Sequence, residues 1–431
     1  MRVYNENKDV YDASYERIDY IFNNFKRIYL SFSGGKDSGV MLNLTLQYMK
    51  DNNITEKLGI MILDNEANYT HSLDFMHRII DENIDMLDVY WCCLPVTLPC
   101  TVSAYATEWQ CWGVEDEQMW VRPMPKDDYI VNIDNCPFDF FEENMNYDKF
   151  WDNFGDWYAQ GEECACMIGI RTDESLNRFR AIMNKKKTMK DNHCWTKKNT
   201  KLVYNVYPVY DWKTDDVWTA NCKFDWDYNK LYDIFWKAGL SVGSMRVASP
   251  FMSESKSSLN LYRVIDGNVW ARLCARVSGA NFIATYGKQL TYKSMTLPEG
   301  HTWKTFTKFL LDTLPKEVGE NFKVRFIQSI KYWSRVGRGL SDEVIEDLKL
   351  NNIKFMLGEK TKHGNKDKTC VKMLPPDHLD MLKCHNSDVT SWKRFAITIL
   401  KNDHTCKYMG LSPTNEQAVR QRQIMKKYKN I

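Results

Sequence analysis

The sequence predicts an α/β protein: a parallel, doubly wound sheet followed by a mainly α-helical C-terminal domain. Three observations carry this. Apolar runs of strand length alternate with amphipathic helical stretches from Arg27 to Val96, and the alternation resumes at Cys164. Beyond about Pro250 strand signals thin out and helical segments dominate.

The first strand is "RIYLSFS" (Arg27 to Ser33), which ends at two adjacent glycines. From Asp37 the period changes, with Val40, Met41, Leu44 and Tyr48 at helical spacing and "KDNN" closing the run. "KLGIMILD" reads as a second strand, "HSLDFMHRIIDEN" as an amphipathic helix and "MLDVYWCCLPV" as a third strand. Strand and helix in strict turn imply parallel pairing with right-handed crossovers.

From Pro99 to about Asp156, Trp109, Trp112, Trp120, Pro123, Pro125 and Pro137 interrupt every periodicity, so this stretch is expected to be an irregular insertion or lid. "ECACMIGIRTDESLNRFRAI" then reads as a strand, a turn and a helix with Glu174 in its first turn, where the helix dipole favours an acid. "KLVYNVYPVYDWKTDDVW" supplies another strand and the start of a helix. The expected organisation is one domain over 1–250, with its insertion at 99–156, and a second over 251–431. The stretch from Gly358 to Lys368 is polar and reads as a loop.

Composition narrows the class. Hydrophobic residues make up 44% and charged residues 26% of the 431 residues, as in an ordinary globular protein. The net charge of +2 creates no global field for nucleic acid, so such a contact would need a local patch. The one candidate is the tail "TNEQAVRQRQIMKKYKNI", with five basic residues against one Glu. The N-terminus is charged and no run is long and apolar enough for a membrane span, which points to the cytoplasm. The 13 cysteines include no Cys-x-x-Cys pair, so reduced buried thiols are expected and no metal site is assigned.

The turn after the first strand carries the chemistry. A strand, a glycine turn and a helix aim unpaired backbone N–H groups at the sheet edge, where an anion fits. The Walker loop is excluded, because Leu30 stands where its first glycine is needed and Asp37 follows the lysine. The dinucleotide fingerprint fails because the glycines are adjacent.

What remains is Ser33-Gly34-Gly35-Lys36-Asp37-Ser38. It resembles the PP-loop signature S-G-G-x-D-S of the adenine nucleotide alpha-hydrolase superfamily. "ILDNEANY" with Asp64 and "GIRTDES" with Gly169, Arg171, Glu174 and Ser175 resemble elements of its phosphoadenosine phosphosulfate reductase-like branch. "YPVYDWKTDDVW" resembles the segment that closes the domain there, so Asp211 and Trp212 are expected to be structural. "YNKLYDIFWKAGLSVGSMRVASPF", "WARLCARVSGAN" and "SWKRFAITILKNDHTCKYMGLS" resemble a subgroup with an uncharacterised C-terminal domain, described as co-activators of prophage gene expression and often encoded beside a ParB-like partner.

The resemblance implies that the loop holds an adenine nucleotide, either ATP or a sulfonucleotide such as phosphoadenosine phosphosulfate or adenosine phosphosulfate. Ser33 and Ser38 would give hydroxyls, Gly34 and Gly35 close backbone amides, and Lys36 a cation. Asp37 would help hold Mg2+ with a triphosphate, Asp64 and Gly169 would face the ligand, and Arg171 would grip a phosphate or sulfate bidentately. Arg178 and Arg180 are read as a solvated helix face.

Three functions compete: ATP pyrophosphatase-type cleavage at the alpha-phosphate with Lys36 and Arg171 as catalytic groups, acting with a partner protein; sulfonucleotide reduction or sulfotransfer; and a non-catalytic, nucleotide- or DNA-linked regulator of prophage genes. Thiol-dependent reduction is disfavoured by one departure. Cys406 in "DHTCKYMG" lacks the flanking Glu and Gly of the reductases' nucleophile segment.

Overall fold

The computed structural model describes residues 8–184, 187–252, 259–286, 296–360, 368–382, 389–406 and 409. The tail 414–431 and most of the polar loop 358–368 lie outside them. The chain groups into two compact units, one drawn from 1–98 and 109–276, the other from 99–108 and 277–431.

The first unit opens with helix α1 (Val10–Asn24), whose cap Asp9 accepts the N–H groups of Tyr11 and Asp12. Strand β1 (Arg27–Ser31), helix α2 (Lys36–Asp51), β2 (Leu58–Leu63), α3 (Thr70–Asp81) and β3 (Leu87–Cys92) follow. After short strands β4 (Thr97–Pro99), β5 (Glu108–Gln110) and β6 (Ile130–Val131) come α4 (Tyr147–Ala159), β7 (Cys164–Ile168) and α5 (Leu176–Ile182). Strands β8 (Thr196–Lys198) and β9 (Val203–Val206), then helices α6 (Thr214–Lys223), α7 (Leu231–Lys237), α8 (Tyr262–Ile265) and α9 (Gly267–Arg276), complete it.

Seven strands form one sheet in the order β6-β3-β2-β1-β7-β9-β8. Every neighbouring pair is parallel except β8 with β9. Helices cover both faces, which is why β2 buries all six of its residues and reads as an unbroken apolar run. The chain leaves β1 toward β2 on one side and β7 toward β9 on the other, so the loops after β1 and β7 diverge. Such a switch point, outside the carboxyl ends of the strands, is where doubly wound sheets open a ligand crevice.

Two expectations change. The stretch 99–156 is not irregular throughout: β6 extends the sheet beside β3, and α4 starts at Tyr147 with Asn146 as its cap. Phe150, Phe154 and Tyr158 of α4 lie at helical spacing and are buried, and the last two pack edge-on to Tyr29 at 5.2 Å. Glu174 precedes α5 instead of standing in its first turn, because Ser175 is the cap that accepts the Arg178 N–H. Its carboxylate pairs with Arg178 at 2.5 Å and Arg246 at 3.8 Å.

Asp211 and Trp212 tie α1 to the sheet. Arg17 grips Asp211 with two bonds of 2.8 and 2.7 Å, and the Trp212 indole donates to Ser14 Oγ at 2.8 Å.

The second unit contains α10 (Ala280–Tyr286), α11 (Trp303–Thr313), α12 (Lys316–Lys331), β10 (Arg338–Leu340), α13 (Asp342–Leu350), β11 (Met356–Lys360), β12 (Thr369–Lys372) and α14 (Trp392–Leu400). Phe322 and Phe326 of α12 meet Phe395 of α14 in one core, with the Phe326 and Phe395 rings stacked at 4.6 Å. Trp333, Leu340, Ile345, Leu348 and Val371 form a second. This unit is rich in helix, as expected, but also holds a small antiparallel sheet of order β10-β12-β11 that the sequence did not announce.

Candidate functional site

The turn between β1 and α2 sits at the switch point. Gly34 has φ +66°, in the left-handed region where a side chain strains the backbone, and a Cβ there would stand 2.8 Å from Met76. Gly35 caps α2 without a side chain, so the 16-residue helix presents its positive end to the crevice with no side-chain cap. The two serines close the turn on itself: Ser33 Oγ and Ser38 Oγ lie 3.0 Å apart, and Ser38 Oγ donates to Gly35 O at 3.2 Å. Ser33 is exposed, whereas Lys36, Asp37 and Ser38 are buried.

Gly169, just past β7, lies against this turn. A Cβ on it would meet the Ser38 backbone at 2.7 Å, so only glycine lets β7 and the start of α2 approach this closely. Arg171 follows and is 1% exposed. Its Nε donates to Asp37 Oδ1 at 2.8 Å, Nη1 to Trp212 O at 3.3 Å and Nη2 to Thr214 Oγ1 at 3.2 Å. Lys36 Nζ stands 3.5 Å from Asp37 Oδ2, so Asp37 is flanked by two cations.

Residues from α7 and the turn before it roof the loop. Asn229 Nδ2 donates to Gly34 O at 2.8 Å and to Ser72 Oγ at 2.9 Å. Tyr232 Oη accepts the Lys36 N–H at 3.0 Å, and the Lys36 ammonium lies 5.5 Å from the centre of the Tyr232 ring. Burial and then the Asp37 charge push the Tyr232 phenol above its ordinary value, so it stays protonated.

The phosphoadenosine phosphosulfate reductase domain matches residues 27–250, just over half of the chain, and DUF3440, a domain of unknown function, matches 239–420. The chain belongs to the phosphoadenosine phosphosulfate reductase domain family. It is also similar to "Uncharacterized protein YbdN" of Escherichia coli (strain K12), with 30% identity over 416 residues that cover 95% of this chain and 92% of that protein.

Two solved structures match at slight likeness. One is Candida glabrata FMN adenylyltransferase in complex with FAD and inorganic pyrophosphate, at 15% identity, 52% of this chain, 58% of that chain and a TM-score of 0.32. The other is the phosphate complex of phosphoadenylyl-sulfate reductase from Candida auris, at 11% identity, 55% of this chain, 88% of that chain and a TM-score of 0.28.

Within this family member the expected residues divide in two. Ser33, Gly34, Gly35, Lys36, Asp37, Ser38, Gly169 and Arg171 come together at one crevice, but Arg171 stands beneath the loop as the partner of Asp37, with all three guanidinium nitrogens engaged by the chain. Asp64 does not face the crevice. It is fully buried, accepts the Glu66 N–H at 2.8 Å and the Trp91 indole at 2.7 Å, and pairs with Arg122.

Glu66, also fully buried and at φ +65°, accepts the N–H groups of Trp112 (2.8 Å) and Val121 (2.7 Å) and lies 3.6 Å from Arg276. Burial pushes its carboxyl up, opposed by those two N–H bonds and then by the two arginines. These acids fasten the segment 112–122 to the end of β2. No group of three metal-binding side chains is found among the described residues, and none of their helices is long and apolar enough to cross a membrane.

The bond from Lys36 N–H to Tyr232 makes a measurable contribution. Tyr232→Phe leaves that buried amide unpaired and lowers the unfolding free energy by about 1–3 kcal/mol in a urea melt. An unchanged midpoint would show that the roof contributes nothing.

Proposed function

We propose that this family member binds ATP by its phosphates at the Ser33–Ser38 turn and cleaves it at the alpha-phosphate: a nucleophilic group of an acceptor, or water, forms the new bond to the alpha-phosphorus and takes the adenylyl group, and pyrophosphate leaves. The observation that carries the reading is the glycine-capped N-terminus of α2 set at the switch point, its Lys36 N–H held by Tyr232, and flanked by two serine hydroxyls and the Lys36 side chain. Such a site acts by charge stabilisation: backbone N–H groups and the helix dipole receive the pyrophosphate oxygens, and Lys36 adds a cation once it turns from Asp37 to the ligand. Arg171 takes no phosphate; it fixes the Asp37 carboxylate and through it the first turn of α2.

Asp37 keeps one oxygen on Arg171, and the other faces Lys36, so it offers a magnesium ion a single oxygen, and that only once Lys36 turns to the ligand. No step is assigned to a protein-held metal. Thiol chemistry finds little support either. Cys406 is fully buried and its thiol is pushed up to about 12 by burial, so it holds almost no thiolate at neutral pH.

The test is pyrophosphate release from ATP by the full chain beside Lys36→Ala. The substitution lowers the rate at least about tenfold if one charge-assisted contact to the transition state is lost. Equal rates would remove Lys36 from the mechanism. Stabilisation of the native protein by ATP without any pyrophosphate would leave a binding module in place of an enzyme.

A further inference from the structure

We infer that strand β11, in the second unit, is a docking edge for an extended acidic segment of a partner protein. This surface is independent of the nucleotide crevice. In the sheet order β10-β12-β11, β11 pairs with β12, and among the described residues no strand lies along its other edge. Its side chains do not serve the core next to it: Met356 is 65% and Leu357 54% exposed, while the facing residue Val371 on β12 is fully buried. Natural sheets blunt exposed edges with charge, proline or bulges; in β11 such devices, Glu359, Lys360 and a register shift between Leu357 and Lys360, stand toward the far end, and the first three residues are Met-Leu-Gly.

A groove of about 760 Å³ runs beside this edge, lined by Lys349, Asn352, Ile353, Lys354, Phe355 and Leu357. Its floor is the outer side of the second core, against which Ile353 and Phe355 pack. Among the described residues the charged ones that line it are the two lysines, both exposed. Nearby acids stand apart from the lining, Glu346 one turn back on α13 and Glu359 toward the far end of β11.

An occupant that satisfies all of this is a strand: it takes the free backbone groups of β11, drops alternate apolar side chains onto Ile353 and Phe355, and sets carboxylates against Lys349 and Lys354. The chain's own tail 414–431 has the wrong charge for the groove, with five basic residues and one acid.

The experiment uses the full chain and a fluorescein-labelled octapeptide of alternating acidic and apolar residues, Glu-Leu-Asp-Ile twice, read by fluorescence anisotropy. Saturable binding is expected. It weakens about tenfold in K349E/K354E, where two ion pairs are reversed, and by a similar factor when alternate peptide nitrogens are methylated to remove the strand hydrogen bonds. Absence of saturation up to millimolar peptide, equal binding of the version with Lys in place of each acid, or indifference to methylation would each overturn the assignment. Sedimentation gives a further check: a dimer of the native chain that Leu357→Glu dissociates would put a second copy on this edge and overturn the partner assignment.

Discussion

Asp64→Ala lowers the unfolding free energy of the first unit by about 3–5 kcal/mol, the usual effect of removing one partner from a buried ion pair. The carboxylate is fully buried, and its two oxygens serve the Arg122 guanidinium, the Trp91 indole and the Glu66 N–H. Its removal leaves Arg122, only 8% exposed, without the carboxylate it pairs with directly. Asp64→Asn separates charge from shape, because the amide keeps an acceptor for Trp91 but not the attraction to Arg122.

Urea melts of the three proteins provide the measurement, with Asn falling between native and Ala. An unchanged melt accompanied by lost ATP binding would return Asp64 to the ligand-facing role that its place after β2 suggests. The magnitude follows from what Asp64 joins: with Glu66 it holds the segment around Trp112 and Val121 on the sheet, so its loss loosens a whole flank.

The contrast between Asp64 and the glycine turn shows what a sequence makes legible. Adjacent glycines at the end of an apolar run state their backbone requirement locally, and the fold places them as read, between β1 and α2. The role of Asp64 depends on Arg122, 58 positions away, in a stretch whose tryptophans and prolines hid its order. Tyr232 and Asn229 contact the loop across separations of 196 and 195 residues, and nothing in "YNKLY" announces that they roof it.

Helix α4 was legible in principle, since Phe150, Phe154 and Tyr158 repeat at helical spacing, but it follows a segment without any period. The small sheet of the second unit was not: β10 and β12 run to three and four residues, too short for alternation to emerge. Arg171 is the instructive case between the two. Its position at the crevice was readable, but the direction of its guanidinium was fixed by Asp37, Trp212 and Thr214, which only the fold brings together.

Gly169→Ala abolishes ATP binding at the turn while leaving a folded protein, with an expected stability loss of about 1–3 kcal/mol from overpacking. The added methyl would stand 2.7 Å from Ser38 Cα, 2.8 Å from Ser38 N and 2.9 Å from the Asp37 carbonyl carbon. All three are backbone atoms, so no side-chain rotation relieves the contact. The start of α2 must move away from β7. That displaces the N–H groups proposed to receive the phosphates, and anion binding at a helix end falls off steeply once those groups turn aside.

Gly243→Ala is the control, because a Cβ there meets nothing within 4 Å and its backbone is not in the left-handed region. Calorimetric titration with ATP beside circular dichroism separates the outcomes. Native-like ATP affinity in Gly169→Ala would mean that the phosphate site does not depend on the register between β7 and α2, and the Ser33–Ser38 turn would no longer explain nucleotide binding.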